Sequence, residues 1–232
     1  MTHAAQSLGQ ILRSRASRSG GDPLLTWYGE AGARTELSVS SVENWVAKTV
    51  NLLEEADVGP GSRVRLEVTR DHPEHWMSLI WPLAVWEAGA VVDLSDATPD
   101  LVVTGPDGPR AATGTPGYAC SLDAWARPLV TLPAGMSDYT SEALAQPDAA
   151  LPQPLLFDAP AWLTDDAAFT LADLSTASPI GTRVLAHPPD AWQAVSTWAA
   201  VVRGGGSLVM VASDDPAAAG RIAASERADI LP

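Results

Sequence analysis

Cysteine and lysine are almost missing from this chain, and each absence removes a class of chemistry. The one cysteine, Cys120, excludes an internal disulfide and any metal site built from several thiolates. No base or helix start lies beside it, so it reads as a small buried apolar residue rather than a nucleophile. The one lysine, Lys48, stands against thirteen arginines. Lysine-dependent catalysis therefore has a single candidate. Lys48 falls in the middle of a predicted helix, as a solvated surface lysine does, with no charged partner in view to tune it.

Long apolar runs are missing too. No stretch approaches the roughly 18 uncharged apolar residues of a membrane-spanning helix, and Arg13, Arg15 and Arg18 have no apolar signal-peptide core behind them. The expectation is no membrane association and a cytoplasmic location. Positive charge is scarce throughout: the formal net charge is -14, which would repel a phosphate backbone and excludes nucleic acid as an expected partner.

What is present is a core. The 232 residues are 46% hydrophobic, enough for one large domain. Residues 4 to 18 read as an amphipathic helix broken by Gly20, Gly21 and Pro23. "LLTWYGEAGARTEL" reads as a hairpin turning at "GEAG". Val42, Val46, Thr49 and Leu53 repeat at helical spacing, Ser40 with Glu43 offers a capping box, and Gly59, Pro60 and Gly61 stop the helix before the strand "RVRLEV". Residues 71 to 88 form an apolar helix opened by Asp71 and Glu74. Pro82 predicts a kink, or an end near Trp81, because an interior proline removes a hydrogen bond. Trp76, Trp81 and Trp86 are expected to pack on a sheet.

"GAVVDL" and "PDLVVTG" follow as strands. From Gly105 to Pro160 the pattern weakens, and only "MSDYTSEALAQ" looks helical. Alternation then resumes with "GTRVLAH", a helix over 189–203, "SLVMV", the helix "DPAAAGRIAASERA" and "DIL". Strands alternating with helices imply an α/β fold with mostly parallel sheets flanked by helices. The expected organisation is a single domain over 1–232, with two lobes, about 1–110 and 155–232, joined by the Pro/Gly-rich segment.

The triple glycine in "RGGGSLVMV" poses a functional choice. A phosphate loop runs from a strand through glycines into a helix, whereas here the glycines follow a helix and precede a strand. They are placed at a helix C-terminus, where glycine adopts the left-handed cap. "DHPEH" gathers Asp71, His72, Glu74 and His75, but no distant ligand set completes a metal site. The favoured reading is a solvated acidic helix cap. "TGTPG" (113–117) is expected to be a surface turn.

The order of these elements carries a resemblance. The segment from "TELSVSSVENW" to "EAGAVVDL" resembles the N-terminal part of the AMP-dependent synthetase and ligase family, which includes acyl-CoA synthetases. The cues are "LS" before the helix, "DVGPGSRV" after it, "HPE", "EAGAVV" and then "PDLVVT". "VVRGGGSLVMVASDDPAAAGRIAASERADIL" is similar to a later helix–strand–helix unit of that family. The resemblance covers roughly residues 24–104 and 165–232.

That resemblance implies a phosphate-binding Ser/Thr/Gly loop ending in lysine just before the segment matched by "AAFTLADL". The residues there, "DAPAWLTDD", hold no glycine and no lysine, and end in Asp165 and Asp166. No residue of this chain matches the family's adenine-contacting motif, its ribose-binding aspartate or its catalytic lysine. The implied reading is therefore a degenerate adenylate-forming domain with no catalytic residues, no metal ligands and no expected cofactor. It would act by binding a small carboxylate or acyl ligand, a partner protein, or its own copy in a homo-oligomer. ATP or AMP with Mg enters only under the alternative, a split ligase completed by another chain. The resemblance also places His187 where the family carries an acyl-pocket aromatic or histidine, which makes His187, Asp190 and Trp192 candidate ligand-pocket residues. Packing is the favoured alternative. No G-x-S-x-G elbow supports a catalytic triad.

Overall fold

The computed structural model describes residues 6–29, 32–109, 111–153, 155–213 and 215–231. Residues 4 and 5 of the expected first helix, and 30 and 31 of the expected "GEAG" turn, lie outside them.

The chain begins with helix α1 (Leu8–Ser19) and the antiparallel pair β1 (Pro23–Tyr28) and β2 (Arg34–Ser38). Helix α2 (Val39–Glu55) follows, then β3 (Arg63–Leu66), the short α3 (Glu67–Asp71), α4 (Met77–Glu87), β4 (Val91–Asp93) and β5 (Leu101–Thr104). Next come β6 (Gly117–Ala119), β7 (Ser137–Asp138), α5 (Tyr139–Leu144), β8 (Pro160–Leu163), β9 (Ala168–Thr170) and α6 (Leu171–Leu174). The chain closes with β10 (Arg183–Ala186), α7 (Ala191–Gly204), β11 (Ser207–Val211), α8 (Pro216–Glu226) and β12 (Asp229–Ile230).

Two sheets result. The first is five-stranded, in the order β12-β10-β11-β1-β2, and the second seven-stranded, β7-β6-β5-β3-β4-β8-β9. All pairings are parallel except β1 with β2 and β8 with β9. The first sheet draws its strands from both ends of the sequence. The second includes β6 and β7 from the 105–160 stretch whose pattern is weakest in sequence, and β8, which starts at its end. Strands of two to four residues are too short to show alternation, so only their pairing reveals them.

Helices α1, α2, α4 and α7 pack on one another and reach both sheets. Helix α4 lies in the middle of this layer with every residue buried, which accounts for its apolar sequence on all sides. Trp76, Trp81 and Trp86 are buried in the common core, as expected, and the Trp86 indole N–H donates to the Ala161 carbonyl at 2.8 Å.

The helix does not end near Trp81 but runs through Pro82 to Glu87. Proline at 82 cannot donate to the Ser78 carbonyl. The Thr69 hydroxyl, fully buried, donates to that oxygen instead at 3.1 Å. The Ser78 hydroxyl in turn donates to the Val68 and His72 carbonyls, so α3 supplies what the proline removes. Thr69→Val keeps the shape and deletes the donor. It is expected to lower stability by about 1–3 kcal/mol, the penalty for an orphaned buried acceptor, read from urea unfolding midpoints.

Three further local expectations change. The α2 cap is Ser38, which accepts from the Ser41 N–H at 3.1 Å, rather than Ser40. Lys48 is no solvated lysine: its ammonium donates to the Gln146 carbonyl and pairs with Asp148 at 2.8 Å, tying α2 to the end of α5. His75 is buried rather than capping a solvated helix. It sits edge-on to Trp27 at 4.6 Å, and its Nδ1 accepts from the Met77 N–H. Burial, only partly opposed by the Leu122 backbone, pushes its pKa down to about 3, so it stays neutral.

Candidate functional site

The two faces of the first sheet decide where a crevice forms. β10 leaves into α7, which packs in the inner layer, whereas β11 leaves into α8, which lies over a separate small cluster of Leu185, Val209, Val211 and Ala223 on the other face. Neighbouring parallel strands whose connections depart to opposite faces leave a cleft outside their carboxyl ends. His187 stands there, one residue beyond β10. Its Nδ1 lies 2.8 Å from the Val211 carbonyl at the end of β11, so the bond spans the mouth of the cleft and orients the imidazole.

Asp190 is the N-cap of α7, its carboxylate accepting from the Gln193 N–H at 2.8 Å. Trp192, two residues further, is half-buried and stacks on Phe169, with ring centroids 4.0 Å apart and an interplanar angle of 16°. Trp162 completes the aromatic group at 5.7 Å from Trp192. These contacts bind the β8–β9 hairpin of the second sheet to the start of α7. The structure thus places His187 and Asp190, both exposed, beyond the carboxyl end of β10, and Trp192 in a packing contact between α7 and the β8–β9 hairpin. Trp162 and Phe169 are not apparent as site-forming residues in the sequence. Only the pairing of β8 with β9, which sets Trp162 opposite Phe169, exposes them.

The hairpin carries the position where a phosphate loop is expected. The turn is four residues long, Thr164 to Ala167. The Thr164 N–H donates to the Ala167 carbonyl at 2.9 Å, and the Ala167 N–H donates to the Thr164 hydroxyl at 3.0 Å. Asp165 accepts from the Asp96 N–H at 3.0 Å, pinning the turn to the end of β4. A turn closed on itself and carrying two carboxylates cannot wrap a polyphosphate, whose charge calls for backbone N–H groups and a cation.

The triple glycine plays the structural part expected of it. Gly205 takes the left-handed cap at φ 78° and ends α7. A Cβ on Gly204 would meet the Ile180 carbonyl oxygen at 2.2 Å, and one on Gly206 the Thr182 carbonyl oxygen at 2.2 Å. The segment before β10 passes too close for a side chain at either position. "TGTPG" forms a surface turn leading into β6, as expected.

No activated nucleophile emerges at the cleft among the described residues. Cys120 is fully buried in the core, and burial pushes its thiol pKa up to about 12. No group of three or more potential metal ligands is found among the described residues, and none of their helices is long and apolar enough to cross a membrane. Hollows lie elsewhere. One of about 280 Å³ sits at the N-terminal ends of β4 and β8, and one of about 170 Å³ on the outer face of the second sheet; neither is lined by His187, Asp190 or Trp192.

No family model matches the chain. A TIGR03089 family protein of Mycobacterium tuberculosis is 34% identical over 229 residues, a match covering 88% of this chain and 89% of that protein. The chain belongs to the TIGR03089 family.

Solved structures match the fold of this chain. The Brucella canis acyl-CoA synthetase superposes with a TM-score of 0.75 at 15% identity, covering 97% of this chain and 47% of that one. The coronafacic acid ligase of Pectobacterium brasiliense gives 0.68 at 12% identity, covering 97% and 49%. A putative long-chain-fatty-acid CoA ligase of Rhodopseudomonas palustris gives 0.70 at 15% identity, covering 96% and 62%. At such identities the likeness establishes the fold alone. This TIGR03089 member has the α/β fold of adenylate-forming enzymes, with mostly parallel sheets, and spans about half the length of the first synthetases and ligases it matches.

Proposed function

We propose that this chain is a non-catalytic adenylate-forming-like domain that works by binding a small carboxylate or acyl ligand, a partner protein, or its own copy. The observation that supports this reading is the Thr164–Ala167 turn. It is too short, and too acidic with Asp165 and Asp166, to hold ATP phosphates. Attack at the α-phosphate requires that the phosphate charge be neutralised as it is rearranged, and this turn supplies charge of the wrong sign. His187 and Asp190, beyond the carboxyl end of β10, are the residues assigned to ligand contact, with Trp192 packed against the β8–β9 hairpin. No cofactor is called for, and a cytoplasmic setting suits a chain with one cysteine. The test is ATP–pyrophosphate exchange across a panel of carboxylates. No exchange is expected, and exchange above background with any carboxylate overturns the proposal.

A second reading draws on the half-length match to the solved synthetases. In that reading the chain is one part of a split ligase, and another polypeptide supplies the missing cation, ATP and Mg sites. Co-purification of a second chain that restores exchange would favour it. A homo-oligomer by light scattering, inactive on its own, favours the binding domain.

A further inference from the structure

The hollow of about 280 Å³ at the amino-terminal ends of β4 and β8 differs from its surroundings in charge. Charged residues make up 18% of the chain, yet none lines this hollow. Trp86, Ala90 and Ala161 are buried and form its floor, while the exposed Pro60, Leu156 and Pro160 form its rim. The backbone around it is also engaged. The Ala90 N–H donates to the Val85 carbonyl at 3.0 Å, the Val91 N–H to the Ser62 carbonyl at 2.9 Å and the Ala159 N–H to the Leu156 carbonyl at 3.1 Å. The Ala161 carbonyl accepts from the Trp86 indole at 2.8 Å, which satisfies the one polar side-chain group in the lining. A charged ligand would lose its water here with nothing to replace it.

The walls are already in place. The segment that carries Leu156 is anchored where the Ala172 N–H of α6 donates to the Phe157 carbonyl at 3.0 Å. Opposite it, Pro60 packs so closely on Gly89 that a Cβ there would meet the proline ring at 3.2 Å. Leu156 is 76% exposed, and a molecule seated in the hollow would cover it. Size separates the possible occupants. A stable protein interface takes roughly 800 Å² from each partner, far more than this hollow presents, whereas an apolar cavity of about 150 Å³ already accepts benzene.

We propose that this hollow binds a compact, uncharged, apolar ring compound. It lies at the opposite end of β8 from the Thr164–Ala167 turn and is not lined by His187. Its occupancy therefore stands or falls independently of the function proposed above.

The test is a titration of the full chain with indole and, separately, with indole-3-carboxylate, following the amide resonances of Ala90, Val91 and Ala161. Indole is expected to give saturable shifts with about millimolar affinity. The carboxylate has the same rings and adds a charge, and it should bind at least about tenfold more weakly. Leu156→Asp sets a charge on the exposed rim without entering the core, and should weaken indole by at least about tenfold. Ala159→Leu, which fills part of the hollow without adding charge, should weaken it as well. A folded wild-type chain with no saturable indole shift, equal binding of the carboxylate, or variants that bind indole as well as the wild type would each overturn the proposal. So would movement of the same amides on dilution of the ligand-free chain, which would assign the hollow to a second copy.

Discussion

Replacing Trp162 with alanine is expected to remove about 3–5 kcal/mol of stability, the range for deleting a large buried aromatic ring. Trp162 is 1% exposed and occupies the one strand that pairs with β4 on one side and β9 on the other. Its indole meets Trp192, and Trp192 stacks on Phe169. One truncation therefore opens a cavity in the core and loosens the hairpin that carries Asp165 and Asp166 against α7. Trp192→Ala removes a half-buried ring from the same group and is expected to cost less, about 1–2 kcal/mol. Urea unfolding of both variants gives the comparison, and the near-ultraviolet circular dichroism of Trp162→Ala should lose part of its aromatic signal. A Trp162→Ala loss below that of Trp192→Ala would mean that the two sheets are not joined through this ring.

Acid should weaken the chain through Glu226. This carboxylate, at the end of α8, accepts from the Tyr28 hydroxyl, from Arg34 Nε at 3.0 Å and from Arg183 Nη2 at 2.6 Å. Burial would raise its pKa, but those three donors outweigh burial and hold it at about 2, against an ordinary value of 4.5. A carboxylate whose folded-state pKa is depressed stabilises the fold above its unfolded value. Its contribution is thus complete above about pH 4.5 and is lost as the pH falls toward 2. The difference corresponds to at most about 3 kcal/mol, reduced by whatever solvent screening remains at this partly buried group. Glu226→Gln should be less stable than the wild type at neutral pH, and the gap should narrow as the pH falls from 5 toward 2. A gap that stays constant across that window would show that the charge on Glu226 is not what holds α8 to the sheet.

Much of the scaffold is legible before any coordinates. The i, i+4 recurrence in α2, the apolar runs that become β5 and β11, and the order of glycines after α7 each reflect local chemistry, and local chemistry decides them. The cases that mislead depend on partners distant in sequence. Pro82 stays inside a helix because Thr69 satisfies the Ser78 carbonyl, and nothing within one helical turn of the proline announces it. His75 looks like part of a polar cap but is enclosed by Trp27, which belongs to the other sheet. Lys48 looks solvated until the end of α5 folds over it. At the cleft, His187 and Asp190 are legible as a strand end followed by a helix cap. The role of Trp192 depends on Phe169 and Trp162, which reach it only through a short antiparallel pairing.

The claim that most needs a direct answer is that the Thr164–Ala167 turn has replaced a phosphate loop. Calorimetric titration of the purified, folded chain with Mg-ATP, with AMP as the comparison ligand, addresses it. The account predicts no saturable heat with either nucleotide. Saturable micromolar binding of Mg-ATP would contradict it and would restore a ligase reading for this chain.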